Sequence, residues 1–118
     1  MVQASWQEFT HGFSDDDLAI LAAYREIAIS LPETTEHIHR TEVQYKVKRV
    51  FTSGYVKSHW LEIAVDLLRE APHPLLKAAF PTTKKVYTHR FTVHAHDELE
   101  AVADLIREAH DTVGPGTG

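Results

Sequence analysis

A chain of 118 residues with 43% apolar and 25% charged residues has room for one two-layer core but not for two. The absence of cysteine excludes disulfides and thiolate metal sites, and no apolar run approaches the roughly 20 residues of a membrane helix. The net charge of −5 argues against indiscriminate nucleic-acid binding, and no signal-peptide pattern is present, so we expect a single-domain cytoplasmic protein without a membrane segment.

The N-terminal part of the chain predicts two helices. Ser5 and Glu8 have the spacing of a capping box, so a short helical turn is expected from Trp6 to about Thr10. Ser14 has the position of a second cap, and the three aspartates after it place negative charge at the positive end of the helix dipole. Pro32 is the predicted end of this second helix.

Strands are predicted in the middle of the chain, where apolar and polar residues alternate. The pattern indicates a short polar strand within 34–41, a strand at 43–51 and a longer one at 55–67 with a bend near Ser58. Residues 52–54, Thr-Ser-Gly, have the composition of a turn between the last two. Two prolines then interrupt the pattern, and a short helix is predicted at 75–80.

The C-terminal part gives the clearest pattern, a strand followed by a helix. Residues 86–93 alternate, and residues 97–113 place their apolar side chains on one helical stripe. His89 stands out because it is an ionisable ring on the apolar face of the strand. Residues 114–118, Gly-Pro-Gly-Thr-Gly, have no side chain suited to burial and are expected to form a flexible tail.

Helices at both ends of a run of strands indicate an α+β fold. We expect a mostly antiparallel sheet of about four strands, covered on one face by the second N-terminal helix and the C-terminal helix. The ordered domain is expected to span residues 5–113.

The charges are sorted along the chain. Most of the Lys and Arg residues lie in the windows 40–57 and 77–90, which contain one acid, Glu42, whereas the other acids lie mainly in the predicted helices. One interpretation is a basic sheet that attracts anions. The other is that Lys46, Lys48 and Arg90 point to solvent and pair across strands with Glu62 and Asp66.

Four stretches resemble a known family: Glu8-Phe9 before Gly12, and residues 43–51, 60–63 and 88–91, the last leading into the C-terminal helix. Their order and spacing over residues 5–113 resemble the bacterial domain-of-unknown-function family 5655. The positions that match its pattern are Val43, Tyr45, Arg49, Phe51 and Lys57. Residues 52–56 depart from it, since the family often has a proline there. The resemblance implies a small α+β domain and no assigned activity.

One group of residues is a candidate ligand site. If the strands that carry them are neighbours, a guanidinium and an imidazole could meet at one edge of the core and hold a carboxylate or phosphate. The candidate ligand-binding residues are Tyr45, Arg49, Lys57, Trp60 and His89. The alternative is that Arg49 lies where its strand leaves the sheet and that His89 is a core histidine bonded to a carbonyl.

Motifs for catalysis or a resident cofactor are absent from the sequence. No serine lies in a nucleophile elbow, and there is no phosphate loop or dinucleotide fingerprint. His37 with His39, and His94 with His96, have a spacing that binds zinc or nickel, but without cysteine or a His-Glu-x-x-His helix we expect only adventitious metal binding.

The sequence therefore predicts a non-catalytic binding or accessory module with a basic sheet edge for an anionic small molecule or partner. A nucleic-acid-associated protein is an alternative, with phosphate contacts from Lys46, Lys48, Arg49, Lys57, Lys84, Lys85 and Arg90. An enzyme would need a pocket at Arg49 and His89. A homodimer through Trp60 and the aromatic N-terminal turn is a further possibility.

Overall fold

The computed structural model of the chain describes residues 4–117, which form an α+β fold. Its elements, in chain order, are α1 (Trp6–Phe9), α2 (Asp15–Ile29), β1 (Thr35–Ile38), β2 (Val43–Lys46), β3 (Val50–Lys57), β4 (Trp60–Leu67), β5 (Leu76–Pro81), β6 (Tyr87–Val93) and α3 (His96–Thr112).

The six strands form one sheet in the order β1-β2-β3-β4-β6-β5, and every neighbouring pair is antiparallel. The antiparallel α+β prediction is confirmed, but the expected number of about four strands is wrong. The segment predicted as a helix at 75–80 is strand β5, because its pairing with β6 overrides the helical propensity of Leu-Lys-Ala-Ala.

The predicted strand 43–51 is divided by a turn, so that β2 ends at Lys46 and β3 begins at Val50. The backbone amides of Lys48 and Arg49 both donate to the carbonyl of Gly114, over 2.8 and 3.0 Å. That partner lies far along the chain, so no local pattern indicates the turn. The predicted turn at residues 52–54 is correspondingly wrong, because these residues lie within β3.

A two-residue turn at Ser58 and His59 divides the predicted strand 55–67 into the end of β3 and all of β4. Both residues have positive φ, 54° and 67°, as a tight hairpin turn requires. Neither is the Gly or Asn that usually marks such a turn, which explains why the sequence pattern indicates only a bend near Ser58 and not a turn between two strands.

Helices α2 and α3 cover one face of the sheet, as predicted. The apolar stripe of α3, with Leu99, Val102 and Ile106, is buried together with the alternate β4 residues Leu61, Ile63, Val65 and Leu67. The Ser14 side chain accepts a bond from the Asp17 amide, and Ser5 and Glu8 form the capping box, so both predicted caps are confirmed.

The aromatic N-terminal turn packs on the domain. Phe9 is buried in the main core, and the Arg25 guanidinium lies 4.2 Å from the centre of the Trp6 ring. Arg25 is also held by two hydrogen bonds to Glu36, of 2.7 and 2.9 Å. This packing covers part of the aromatic surface that the homodimer hypothesis invokes.

Part of the predicted flexible tail belongs to the fold. Gly114 is buried and accepts the two amide bonds of the β2–β3 turn, and the Lys85 ammonium donates to the Thr117 carbonyl over 3.0 Å. Among the described helices, none combines the length and apolar character needed to cross a membrane.

Candidate functional site

The face of the sheet opposite the helices is open and carries most of the polar strand residues. Because side chains alternate along a strand, the β4 residues Glu62, Ala64 and Asp66 face away from the helical layer. The strand register places Ser53, Ala64 and Arg90 in one row across three strands. This polar face is one surface available to a ligand.

A cleft lies at the middle of the open face, and we call it the cup. Its centre has small side chains, Ser53 and Ala64, which leave a space of about 350 Å³. The larger residues around this space are Glu42, Tyr55, Glu62, Phe80, Thr88 and Arg90. A volume of this size lies at the lower end of the range of small-molecule sites, about 300–1,000 Å³.

Arg90 supplies positive charge to the cup. Its guanidinium donates a hydrogen bond of 3.1 Å to the Tyr55 hydroxyl, which is a neutral partner. Within the described part of the chain, Arg90 takes part in none of the ion pairs. The charge is therefore oriented by Tyr55 but not neutralised by a carboxylate.

Glu62 supplies a buried carboxylate on another wall of the cup. Only 5% of the residue is exposed. Its carboxylate accepts a bond of 2.9 Å from the Thr92 hydroxyl, and the Lys77 ammonium lies 3.5 Å away. A carboxylate that is withdrawn from water in this way is held in a fixed position.

Asp66 lies beside the cup and contacts Thr88. The Thr88 hydroxyl donates to its carboxylate over 2.8 Å, and the Arg49 guanidinium lies 3.9 Å away. Burial raises the pKa of Asp66 above its usual 3.8, because it outweighs the opposing effects of Thr88 and Arg49. Glu62 and Asp66 thus pair with Lys77 and Arg49, and not with Lys46, Lys48 or Arg90 as one interpretation of the sequence expected.

Two of the predicted site residues are buried beneath the helices. The Tyr45 hydroxyl donates to Glu36 over 2.9 Å, and burial raises the pKa of this phenol. His89 has no exposed surface, and its Nε2 accepts a bond from the Ala71 amide, so the proton is on Nδ1, which donates to the Tyr87 carbonyl. These contacts agree with the alternative of a core histidine.

The other three predicted residues lie at two ends of the open face. Arg49 is near Asp66 at one end, whereas Lys57 and Trp60 are cross-strand partners at the other. The Trp60 ring packs against His94, with centroids 4.9 Å apart. The structure therefore does not bring the Arg49 guanidinium and the His89 imidazole together, since they lie on opposite faces of the sheet. Ligand binding by Arg49, Lys57 or Trp60 stays a prediction.

Sequence reasoning did not single out the residues of the cup. Arg90 entered only as one of several basic residues, and Glu62 only as a cross-strand partner. The available signal was that the polar residues of β4 and β6 occupy alternate positions, and therefore one face of the sheet, around the small residue Ala64. This signal can be recognised only when β4 is known to lie between β3 and β6 in the sheet, and the order of the strands along the chain does not show that arrangement.

A second cleft, of about 380 Å³, lies where α2 and α3 begin. It is lined by three histidines, His59, His94 and His96, and the His59 Nδ1 lies 2.9 Å from the Asp17 carboxylate. Among residues 4–117, no group of His, Asp and Glu side chains has an arrangement that could hold a metal ion.

Comparisons with known proteins add no relative. No protein-family model, no curated protein and no solved structure matches the chain. The resemblance to family 5655 is neither supported nor contradicted and stays a prediction. Function must therefore be inferred from the geometry of the described residues.

Proposed function

We propose that this protein is a non-catalytic binding module whose cup receives the anionic group of a small molecule or partner. The observation that carries the proposal is the arrangement of Arg90, a charge that faces the cup, is oriented by the Tyr55 hydroxyl and has no ion-pair partner among the described residues. A guanidinium in this state favours a carboxylate or phosphate, to which it can donate two hydrogen bonds.

The enzyme alternative at Arg49 and His89 has less support. It would need an imidazole that faces a cleft and is free to exchange a proton with a ligand. Both ring nitrogens of His89 are instead bonded to backbone groups on the helical side.

The test is titration of the full chain with acetate and inorganic phosphate, followed by amide chemical shifts in NMR spectra. We expect shifts centred on Arg90 and Tyr55, and binding weaker by about tenfold or more in Arg90→Gln, because the substitution removes up to two hydrogen bonds to a charged group. The matched control is Arg107→Gln, which removes an exposed arginine of α3. Equal binding by both variants, or shifts located elsewhere, would contradict the proposal.

A nucleic-acid-associated function is the second candidate, favoured by a cluster of cations at one end of the sheet. The β2–β3 turn and the segment before β6 both contact the chain after α3, through Gly114 and Thr117. We call this region, with Lys46, Lys48, Arg49, Lys84 and Lys85, the basic end. Arg49 is the one member that forms an ion pair within residues 4–117.

This candidate predicts that a single-stranded oligonucleotide binds and that its affinity falls steeply with salt. Each lost phosphate contact should reduce the slope of log affinity against log salt by about 0.7. The double variant Lys48→Gln/Lys84→Gln should therefore show a flatter slope than the Arg107→Gln control. Absence of binding at low salt would exclude the candidate.

A further inference from the structure

We infer that the ligand of the cup is a small zwitterion of the amino-acid type, whose anionic group meets Arg90 and whose ammonium group meets Glu62. This inference rests on the proposed function, because it assigns the ligand of the same site. It starts from the fact that the cup presents both charges, a guanidinium and a buried carboxylate, around a centre of small side chains.

The strand register sets the spacing of the two charges. Ala64 pairs with Arg90, and Glu62 pairs with Thr92, so Glu62 and Arg90 are diagonal neighbours on adjacent strands. Such neighbours are about 7–8 Å apart at the backbone, which long side chains can reduce. A ligand whose opposite charges are separated by two or three bonds can therefore contact both groups at once.

The buried carboxylate disfavours a ligand that is only anionic. An anion bound to Arg90 would lie near Glu62, and Glu42 also lines the cup. Like charges repel one another, and the repulsion is stronger beside a buried carboxylate such as Glu62 than in bulk water. An ammonium group on the ligand removes this penalty and donates hydrogen bonds to Glu62, whose present charged partner, Lys77, is at the longer distance of 3.5 Å.

An aromatic surface at the rim is available to an apolar part of the ligand. Phe80 lines the cup and is 43% exposed, so its ring can be covered by a bound molecule. The Tyr55 ring lies on another side of the same space. An apolar or aromatic side chain on the zwitterion would cover Phe80 and exclude water from the charged contacts.

Three probes with the same aromatic body separate the contributions of the two charges. They are L-phenylalanine, 3-phenylpropionate, which lacks the ammonium group, and phenethylamine, which lacks the carboxylate. NMR titration of the full chain should show that phenylalanine binds at the cup about tenfold more tightly than phenylpropionate, the order expected of one hydrogen bond to a charged group. Phenethylamine should bind most weakly.

Single substitutions test which residue is responsible for each difference in affinity between the probes. Glu62→Gln should remove the advantage of phenylalanine over phenylpropionate, and Arg90→Gln should weaken both. Glu100→Gln, an exposed acid on α3, is the matched control and should leave the order unchanged. Ala64→Leu should abolish binding of all three probes by filling the centre of the cup while leaving both charged residues in place.

The outcomes distinguish the inference from the proposed function. If phenylpropionate binds wild-type protein as tightly as phenylalanine, the zwitterion inference is wrong, although the anion site stands. The same holds if acetate or phosphate binds through Arg90 and phenylalanine does not bind. If no anion and no probe shifts the cup resonances, both are wrong. These comparisons use the wild-type chain and do not depend on the folding of a variant.

Discussion

His110 shows how a single residue links two elements by its protonation state. Its Nε2 lies 2.7 Å from the Pro32 carbonyl and its Nδ1 lies 2.8 Å from the Asp111 carboxylate. Both partners only accept hydrogen bonds, so both contacts are hydrogen bonds only when the ring is doubly protonated. The imidazolium therefore ties the end of α3 to the loop between α2 and β1.

This geometry predicts a pH-dependent stability. Burial lowers the pKa of His110, but the bonds to Pro32 and Asp111 outweigh it and raise the pKa above 6.5. A raised pKa in the folded state gives stability that is complete below pH 6.5 and is lost as the pH rises through the folded value. Denaturant unfolding should therefore show that His110→Gln loses more stability at pH 6 than at pH 8.

The control for this prediction is His11→Gln, since His11 is exposed in the loop before α2. Its difference from wild type in unfolding free energy should not change with pH. An equally large pH-dependent difference in both variants would contradict the assignment to His110.

Among the elements, Gly114 connects α3 with the β2–β3 turn. It follows α3, and its carbonyl accepts the amides of Lys48 and Arg49 in the β2–β3 turn. A Cβ at this position would clash with the carbonyl oxygen of His110, a backbone atom that cannot move away by rotating a side chain. The lack of a side chain therefore lets the chain after α3 pack closely against the last turn of that helix.

Gly114→Ala should destabilise the protein by about 1–3 kcal/mol, the usual range for overpacking. The measurement is urea unfolding followed by circular dichroism. Thr117→Ala is the control, because the structure assigns a contact to the carbonyl of Thr117 but none to its side chain. Equal stability of Gly114→Ala and wild type would contradict the predicted clash with the His110 carbonyl.

At the scale of the whole molecule, all the helical cover lies on one face of a six-stranded sheet. Helices α2 and α3 cover the apolar face, and the opposite face carries Arg90, Glu62 and Asp66 on adjacent strands. Acids and bases therefore share the open face, which is not simply basic. This mixture of charges is the reason to expect a ligand with both signs.

Some elements depend only on local chemistry, and the amino-acid pattern is enough to predict them. The caps at Ser5 and Ser14, the α3 stripe and the alternation in β6 follow from near neighbours, and they lead to the α+β class. Features that depend on distant partners are visible only in the folded chain. The Gly114 carbonyl binds the turn that follows β2. Pairing with β6 makes β5 a strand, and the order β3-β4-β6 brings the residues of the cup together. Such contacts join residues that are far apart in the chain, so the periodicity of the sequence does not indicate them.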